Sequence, residues 1–326
     1  MSILVTGSHG CIGAWVLKTL VEAGEQPVAY DLSDDPWRPR LIMEPDTLAA
    51  VTFVRGDITD AAALARVIEK HAVARIVHLA AFQIPLCRQD PAKGALVNVV
   101  GTATVFEAAR AHRAQVRQIA YASSVAVFGP ASAYPPGPLR DDAPRMPATH
   151  YGVYKVANED TARIHWLERQ IPSIGLRPDT LYGPGRDFGL TADPTIAMKA
   201  ALLGRPFRIR WGGSRDFQYV ADVARAFVRA AQAEVRGAPV YNLHGEVASV
   251  AELIDVIREV LPGAKTLVDY DPATEVPVAG AYDDRAFQRD LGPLPRTSLR
   301  DGVRQTVERF ERLLHAGRLD TRELAS

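Results

Sequence analysis

A short apolar segment that runs directly into three closely spaced glycines constrains the fold of this chain more than any other feature. Residues 3–13 read ILVTGSHGCIG, and an amphipathic stretch follows them. This order predicts a strand, a tight turn and a helix. Gly7 lets the chain turn sharply because it has no Cβ, Gly10 lets the backbone approach a phosphate, and Gly13 lets the helix pack close to the strand. Since the N–H groups of a first helical turn have no intrahelical partner, this place suits a pyrophosphate.

An aspartate ends the second predicted strand, residues 27–31. A carboxylate at this place accepts both ribose hydroxyls of an adenosine and repels a 2′-phosphate, so Asp31 favours NAD over NADP. Two alternatives stay open. Asp31 can instead cap the loop that follows it, and Arg38 and Arg40 lie close behind and can serve a 2′-phosphate.

The bulk properties limit the class of protein. A chain of 326 residues is long for one dinucleotide-binding unit, which predicts a second, smaller domain. Its net charge of +0 gives no reason to expect nucleic acid or an acidic membrane as a partner. Two cysteines, Cys11 and Cys87, suit a reducing compartment. The chain starts with a strand, which predicts no signal peptide, and lacks an apolar run long enough for a membrane span. These features together predict a cytoplasmic protein.

Strand-like and helix-like segments alternate along the chain. Further strands are expected at 51–55, 75–81, 118–124, 173–177, 208–211 and 240–243. One helix is expected to follow Asp60, which is a good cap, and to run to about residue 71. Further helices are expected at 92–113, 151–169, 191–203, 249–261 and 298–316, with a loop at 32–50. Repeated βα units predict an α/β protein with a doubly wound parallel sheet, the Rossmann fold. We expect this domain to span residues 1–180 and to be joined by about 217–245. Residues 181–216 and 246–326 are then the smaller C-terminal substrate-binding domain.

Side chains suited to acid–base chemistry collect at the fifth strand and the helix after it. Tyr151 and Lys155 are four residues apart and share one face of a helix. A tyrosine with a pKa of about 10 is a poor base at neutral pH. A neighbouring cation and a positive nicotinamide ring favour the phenolate and make Tyr151 an acid–base group. Lys155 also suits the nicotinamide ribose, and Ser124 adds a hydrogen bond to the reacting oxygen. The same spacing arises by chance in other chains, and its position after the fifth strand favours catalysis.

A set of short motifs extends along nearly the whole chain. The motifs are Thr6-Gly7-x-x-Gly10-x-x-Gly13, Asp57-Ile58-Thr59-Asp60, His78-Leu79-Ala80-Ala81, Asn98 with Gly101-Thr102, Ser123-Ser124, Tyr151-x-x-x-Lys155, and Arg177-Pro178-x-x-Leu181-Tyr182-Gly183-Pro184-Gly185. Together they resemble the motifs of extended short-chain dehydrogenases/reductases of the NAD-dependent epimerase/dehydratase family. They are specific for the family and say little about the substrate.

The resemblance implies a set of site residues and a homodimer. The catalytic residues would be Ser124, Tyr151 and Lys155. The NAD contacts would be Gly7, Gly10, Cys11, Ile12, Gly13, Asp31, Asp57, Ile58, Ala80, Asn98, Tyr151 and Lys155, and Asn98 would also help to order the site. The substrate contacts would be Phe82, Ser124, Arg186 and Arg215. In the family, an arginine placed like Arg215 grips the phosphate of a nucleotide sugar. Arg215 and Arg186 can equally be solvated loop arginines.

Two departures from the family pattern restrict the chemistry. Dehydratases and decarboxylases of the family place an acidic residue directly after the catalytic serine or threonine, whereas Val125 and Ala126 follow Ser124. No carboxylate is offered there to remove an α-proton. Nucleotide-sugar epimerases usually present a second arginine near residues 276–282, and residues 276–280 here read VPVAG. A pyrophosphate would be held less firmly without that cation.

Three functional hypotheses follow. The first is an epimerase that keeps its NAD, oxidises a secondary alcohol of a sugar-like substrate and returns the hydride to the other face. The second is a net NAD-dependent dehydrogenase of a free sugar, sugar acid or other small hydroxylated compound. The third, a dinucleotide sensor without chemistry, is disfavoured by the intact catalytic residues. No histidine pair has metal-ligand spacing on one predicted face, so no metal is expected.

Overall fold

A central parallel sheet organises the part of the chain that the computed structural model describes, residues 2–324. The strands are β1 Ser2–Thr6, β2 Val28–Asp31, β3 Thr52–Arg55, β4 Val73–His78, β5 Gln118–Ala122, β6 Ser173–Arg177, β7 Thr180–Tyr182, β8 Phe207–Ile209, β9 Ser214–Tyr219, β10 Val240–Asn242, β11 Glu246–Ser249 and β12 Val268–Tyr270. Seven of them form the central sheet in the order β3-β2-β1-β4-β5-β6-β10, with every pair parallel. The predicted doubly wound α/β fold is confirmed. The strand order reverses between β1 and β4, where folds of this kind bind ligands at the carboxyl ends of the strands.

The helices pack on both faces of this sheet. They are α1 Cys11–Glu22, α2 Trp37–Ile42, α3 Pro45–Leu48, α4 Ala61–Lys70, α5 Ile84–Gln89, α6 Pro91–Ala95, α7 Gly101–Ala111, α8 His150–Arg169, α9 Asp193–Leu202, α10 Val220–Gln232, α11 Val250–Val260, α12 Arg285–Leu291 and α13 Leu299–His315. Local caps explain several of the starts: the Asp60 carboxylate accepts from the Ala63 N–H at 2.9 Å, and Ser249 forms a capping box with Glu252.

Several elements differ from the prediction. The expected loop at 32–50 contains α2 and α3, because Leu41, Ile42 and Met43 bury their side chains against the core. The expected helix at 92–113 is interrupted by a π-helical turn over Leu96–Val100 and ends at Ala111. Helix α12 was not expected at all. Tertiary burial outweighs local propensity in the first of these cases.

Smaller sheets extend the fold beyond β6. Strand β9 pairs antiparallel with β11 and parallel with β7, and β12 pairs with β8. Leu17 of α1, Phe217 of β9, Leu253 of α11 and Phe310 of α13 belong to one buried apolar cluster, so this part shares a continuous core with the central sheet. The division into two domains stays a prediction. Within residues 2–324, no helix is long and apolar enough to cross a membrane.

Candidate active site

A cavity of about 930 Å³ lies at the carboxyl ends of the central strands. The residues that follow β1, β2, β4 and β5 form one side of the cavity. The segments around residues 186–191 and 276–278 form the opposite side. Most of the predicted site residues border this cavity: Gly7, Gly10, Cys11, Ile12, Gly13, Asp31, Asp57, Ile58, Ala80, Phe82, Ser124, Tyr151, Lys155 and Arg186. Asn98 and Arg215 do not.

The glycine loop forms a cradle that has no room for side chains. Gly7 has a φ of +66°, and a Cβ there would lie 2.5 Å from the Ala80 nitrogen. A Cβ on Gly13 would lie 2.3 Å from the Gly7 oxygen. The N-cap Gly10 offers no side chain to the first turn of α1, which leaves that turn's N–H groups to an anion. The cradle therefore fits the pyrophosphate of a dinucleotide.

Asp31 lies beside this cradle and accepts two backbone N–H groups. His9 N–H donates to one carboxylate oxygen at 2.9 Å, and Ser33 N–H donates to the other at 3.1 Å. Asp31 therefore caps the loop that follows it and also borders the cavity. Asp31 also orders the glycine loop through His9.

The two arginines considered for a 2′-phosphate are both held by aspartates. Arg38 donates to Asp187 from Nε at 2.9 Å and from Nη2 at 2.6 Å, and its Nη1 donates to the His9 carbonyl at 3.1 Å. Arg40 pairs with Asp35. Since the charge of each arginine is compensated, this wall favours NAD over NADP.

Tyr151 and Lys155 reach the cavity because α8 begins at His150, where the Thr149 hydroxyl accepts from the Gly152 N–H at 3.1 Å. Lys155 is 3% exposed, and its Nζ donates to the Ala122 carbonyl at 2.6 Å and lies 5.4 Å from the centre of the Tyr151 ring. Helix α8 and the end of β5 thus bring the predicted catalytic residues to one wall of the cavity.

Burial has the largest effect on the pKa values of Tyr151 and Lys155. It raises the pKa of Tyr151 to about 12, although a hydrogen bond with Ser124 and the charge of Arg186 act to lower it. Burial also lowers the pKa of Lys155 to about 8. The Lys155 Nζ is directed to the Ala122 carbonyl. A phenolate at Tyr151 therefore needs further positive charge, such as the expected nicotinamide ring.

Asn98 acts through Phe82 instead of bordering the cavity. It is fully buried on the π-helical turn, which is a feature common at functional sites. Its Oδ1 accepts from the Phe82 N–H at 2.7 Å, and its Nδ2 donates to the Phe82 carbonyl at 2.9 Å. The predicted ordering role fits this geometry, whereas the position does not suit a direct NAD contact.

Arg186 and Arg215 occupy different environments. Arg186 borders the cavity and donates to Gln83 Oε1, the Phe188 carbonyl and Thr191 Oγ1, at 3.2, 2.9 and 2.8 Å. Arg215 is 3% exposed and pairs with Asp179. The alternative of a solvated loop arginine is therefore wrong for Arg215, and its guanidinium lies behind the cavity wall.

Several cavity residues were missed from the sequence. Gln83 and Thr191 hold Arg186, and Asp179 and Trp37 also border the cavity. Asp179 falls on one of the unspecified positions of the motif that starts at Arg177, so the motif itself carries no signal for it.

A buried ion pair supports the catalytic helix from behind. Glu159, one turn after Lys155, is bound by Arg177 through Nε and Nη2 at 2.7 Å each, and the Ser123 hydroxyl donates to it at 2.5 Å. The side chains of Glu159 and Arg177 are 3% and 4% exposed. This network joins α8 to β5 and β6.

The family comparison agrees with this geometry. The model described as "NAD dependent epimerase/dehydratase family" matches residues 3–243. A UDP-glucose 4-epimerase of Mycolicibacterium smegmatis is 34% identical over 319 residues, which span 95% of this chain and 98% of that protein.

Solved structures resemble the chain over almost its full length. MoeE5 in complex with UDP-glucuronic acid and NAD is 29% identical, with a TM-score of 0.79 over 96% of this chain and 99% of that one. The UDP-glucose 4-epimerase of Thermotoga maritima with UDP-glucose is 25% identical, with a TM-score of 0.83 over 96% of this chain and 100% of that one.

Proposed function

Since the chain belongs to the NAD-dependent epimerase/dehydratase family, we propose that it epimerises a secondary alcohol carbon of a sugar-like substrate through a transient keto intermediate. It is an NAD-dependent enzyme of the extended short-chain dehydrogenase/reductase type. The observation that carries the proposal is that Ser124, Tyr151 and Lys155 border the same cavity as the glycine cradle.

Each residue of this group has a distinct role in the proposed reaction. The Tyr151 oxygen takes the proton of the substrate hydroxyl and returns it when the keto group is reduced. Ser124 donates a hydrogen bond to the reacting oxygen, and Lys155 holds the nicotinamide ribose. Bound NAD would supply a reversible acceptor for the hydride of the carbinol carbon, so that the keto group could be reduced again from its opposite face. Gly7, Gly10 and Gly13 place the dinucleotide, and Asp31 binds its adenosine ribose.

An isotope experiment separates epimerisation from net dehydrogenation. We expect NAD to copurify with the protein, and incubation of the holoenzyme with its substrate in deuterated water to give an epimer that retains hydrogen at the reacting carbon. No net NADH should accumulate, because the hydride returns to the substrate. NADH formed in amounts equal to the substrate consumed would contradict the proposal and indicate the alternative, a net dehydrogenase of a free sugar, sugar acid or other small hydroxylated compound.

The proposed role of Asp31 predicts a change in cofactor affinity. Asp31→Asn keeps an oxygen for the His9 N–H but removes the charge, so we expect NAD affinity to fall roughly 10- to 100-fold. The affinity for NADP should fall less than the affinity for NAD, because the 2′-phosphate of NADP is no longer repelled. Calorimetric titration with each dinucleotide gives the two dissociation constants and hence the ratio of NAD affinity to NADP affinity. Asp34→Asn is the matched control, since Asp34 is exposed and paired with Arg55. An unchanged NAD to NADP ratio in Asp31→Asn would contradict the assignment.

The homodimer and the cytoplasmic location are part of the same proposal. Helix α8 and the π-helical turn before α7 expose apolar side chains that a second copy would cover: Leu96, Val100, Val153, Ile164 and Leu167. Burying such a surface between two copies removes apolar area from water. Two free cysteines, Cys11 and Cys87, are consistent with a reducing compartment. The mass in solution tests the dimer.

A further inference from the structure

The wall of the cavity next to β7 and β9 carries a carboxylate whose arginine partner is not among the residues that line the cavity. Asp179 borders the cavity with a side chain that is only 4% exposed. Its Oδ1 is bound by Arg215 Nη2 and accepts from the Thr180 hydroxyl at 3.3 Å. Arg215 also donates to the Val278 carbonyl at 2.5 Å. The cation suited to a phosphate is therefore neutralised inside the protein.

The other described residues of this wall offer no cation to a diphosphate. Residues 276–278 border the cavity and carry no charge. A diphosphate placed here would meet the Asp179 carboxylate, whose charge Arg215 already balances, and would find no unpaired cation. The second oxygen of Asp179, Oδ2, is buried and has no hydrogen-bond partner among the described residues. An unpartnered buried acceptor is costly, so a donor such as a hydroxyl group suits this position.

A cation without a carboxylate partner lies on the neighbouring part of the wall. Arg186 makes its three hydrogen bonds to neutral oxygens, and no ion pair involves it within residues 2–324. Arg186 and Tyr151 border the same cavity, and burial lowers the pKa of the Arg186 guanidinium. An anion bound by Arg186 would therefore lie in the cavity that also holds the reacting residues.

We propose that the substrate is a nucleotide-free sugar acid, whose carboxylate Arg186 binds and one of whose hydroxyls donates to Asp179. The inference rests on the proposed function and names the substrate class of the same site. A carboxylate matches the planar donors of a guanidinium, and a hydroxyl satisfies the unpartnered Asp179 oxygen. The site offers a nucleotide sugar no unpaired cation on the Asp179 wall, because Arg215 is held by Asp179.

A thermal-shift comparison of the NAD-loaded protein tests the substrate class. The ligands are glucuronate and galacturonate, their neutral counterparts glucose and galactose, and UDP and UDP-glucose. A ligand stabilises only a fold that binds it, so we expect the melting temperature to rise with a sugar acid and not with its neutral counterpart or with UDP. Stabilisation by UDP, or no difference between acids and neutral sugars, overturns the proposal.

Three variants test the contacts. Arg186→Met should weaken binding of the stabilising acid roughly 10- to 100-fold, and Arg186→Lys should restore part of it because the charge returns. Arg208→Met, at an exposed arginine on β8 outside the cavity lining, is the matched control and should leave binding unchanged. Asp179→Asn removes the charge that balances Arg215 and should let UDP stabilise the protein. Equal effects of Arg186→Met and Arg208→Met would overturn the role of Arg186.

Measuring which substrates the NAD-loaded protein converts tests the sugar-acid inference and the proposed function separately. If the protein epimerises UDP-glucose in a Tyr151-dependent reaction, the proposed function stands and the sugar-acid inference fails. If neither the acids nor UDP-glucose is converted by the NAD-loaded protein, the proposed function fails as well.

Discussion

Tyr151→Phe is expected to abolish turnover while leaving NAD affinity nearly unchanged. The substitution removes only the phenolic oxygen that transfers the proton, and general acid–base catalysis contributes roughly 10²- to 10⁴-fold to a rate. The ring itself stays, so the cavity wall keeps its shape. Steady-state kcat with the natural substrate and a calorimetric Kd for NAD measure the two effects separately.

Tyr154→Phe is the matched control for this experiment. Tyr154 lies on the same helix, α8, but its hydroxyl donates to the Pro91 carbonyl at 2.7 Å. Removing that hydroxyl should cost about 1 kcal/mol of stability and leave kcat within a few-fold of the parent. A Tyr151→Phe variant as active as Tyr154→Phe would contradict the catalytic assignment.

Glu159→Ala is expected to produce the largest loss of stability. The substitution leaves the Arg177 guanidinium buried without its carboxylate, and breaking a buried pair in this way costs roughly 3–5 kcal/mol. The Ser123 hydroxyl, which donates to Glu159 at 2.5 Å, loses its acceptor as well. Chemical denaturation of parent and variant measures the difference in the free energy of unfolding.

Glu168→Ala provides the matched control on the same helix. Glu168 forms an exposed pair with Arg169 at 3.8 Å, and exposed pairs contribute about 0–1 kcal/mol. The double variant Glu159→Met with Arg177→Met should recover much of the lost stability, because apolar side chains can replace a buried pair. If Glu159→Ala is as stable as Glu168→Ala, the network does not anchor α8.

Much of the scaffold could be predicted from local patterns. Helix α8 was expected at 151–169 and runs from His150 to Arg169, and the strand expected at 173–177 has the same bounds in β6. Asp60 caps α4 as predicted. These features depend on residues that are close along the chain, such as a cap and the N–H three residues later.

The failures of prediction concern residues whose partners are distant along the chain. Residues 37–48 are helical where a loop was expected, because Leu41 and Ile42 bury against the core. Asn98 was expected to help to order the site, but the sequence did not reveal its partner, the Phe82 backbone, which it holds through two hydrogen bonds. Residue type and spacing cannot reveal such contacts.

The sequence by itself determined the sheet, the glycine cradle and the joint placement of Tyr151 and Lys155, because periodicity, backbone conformation and helix geometry are set over a few residues. Only the tertiary structure decided which charges remain free in the cavity. Arg38 is compensated by Asp187, 149 positions away, and Arg215 by Asp179, 36 positions away. Arg186 forms no ion pair within residues 2–324 and borders the same cavity as Tyr151. An ion pair forms where folding brings two side chains within a few ångströms, so the fold of the whole chain decides which arginine can bind a ligand.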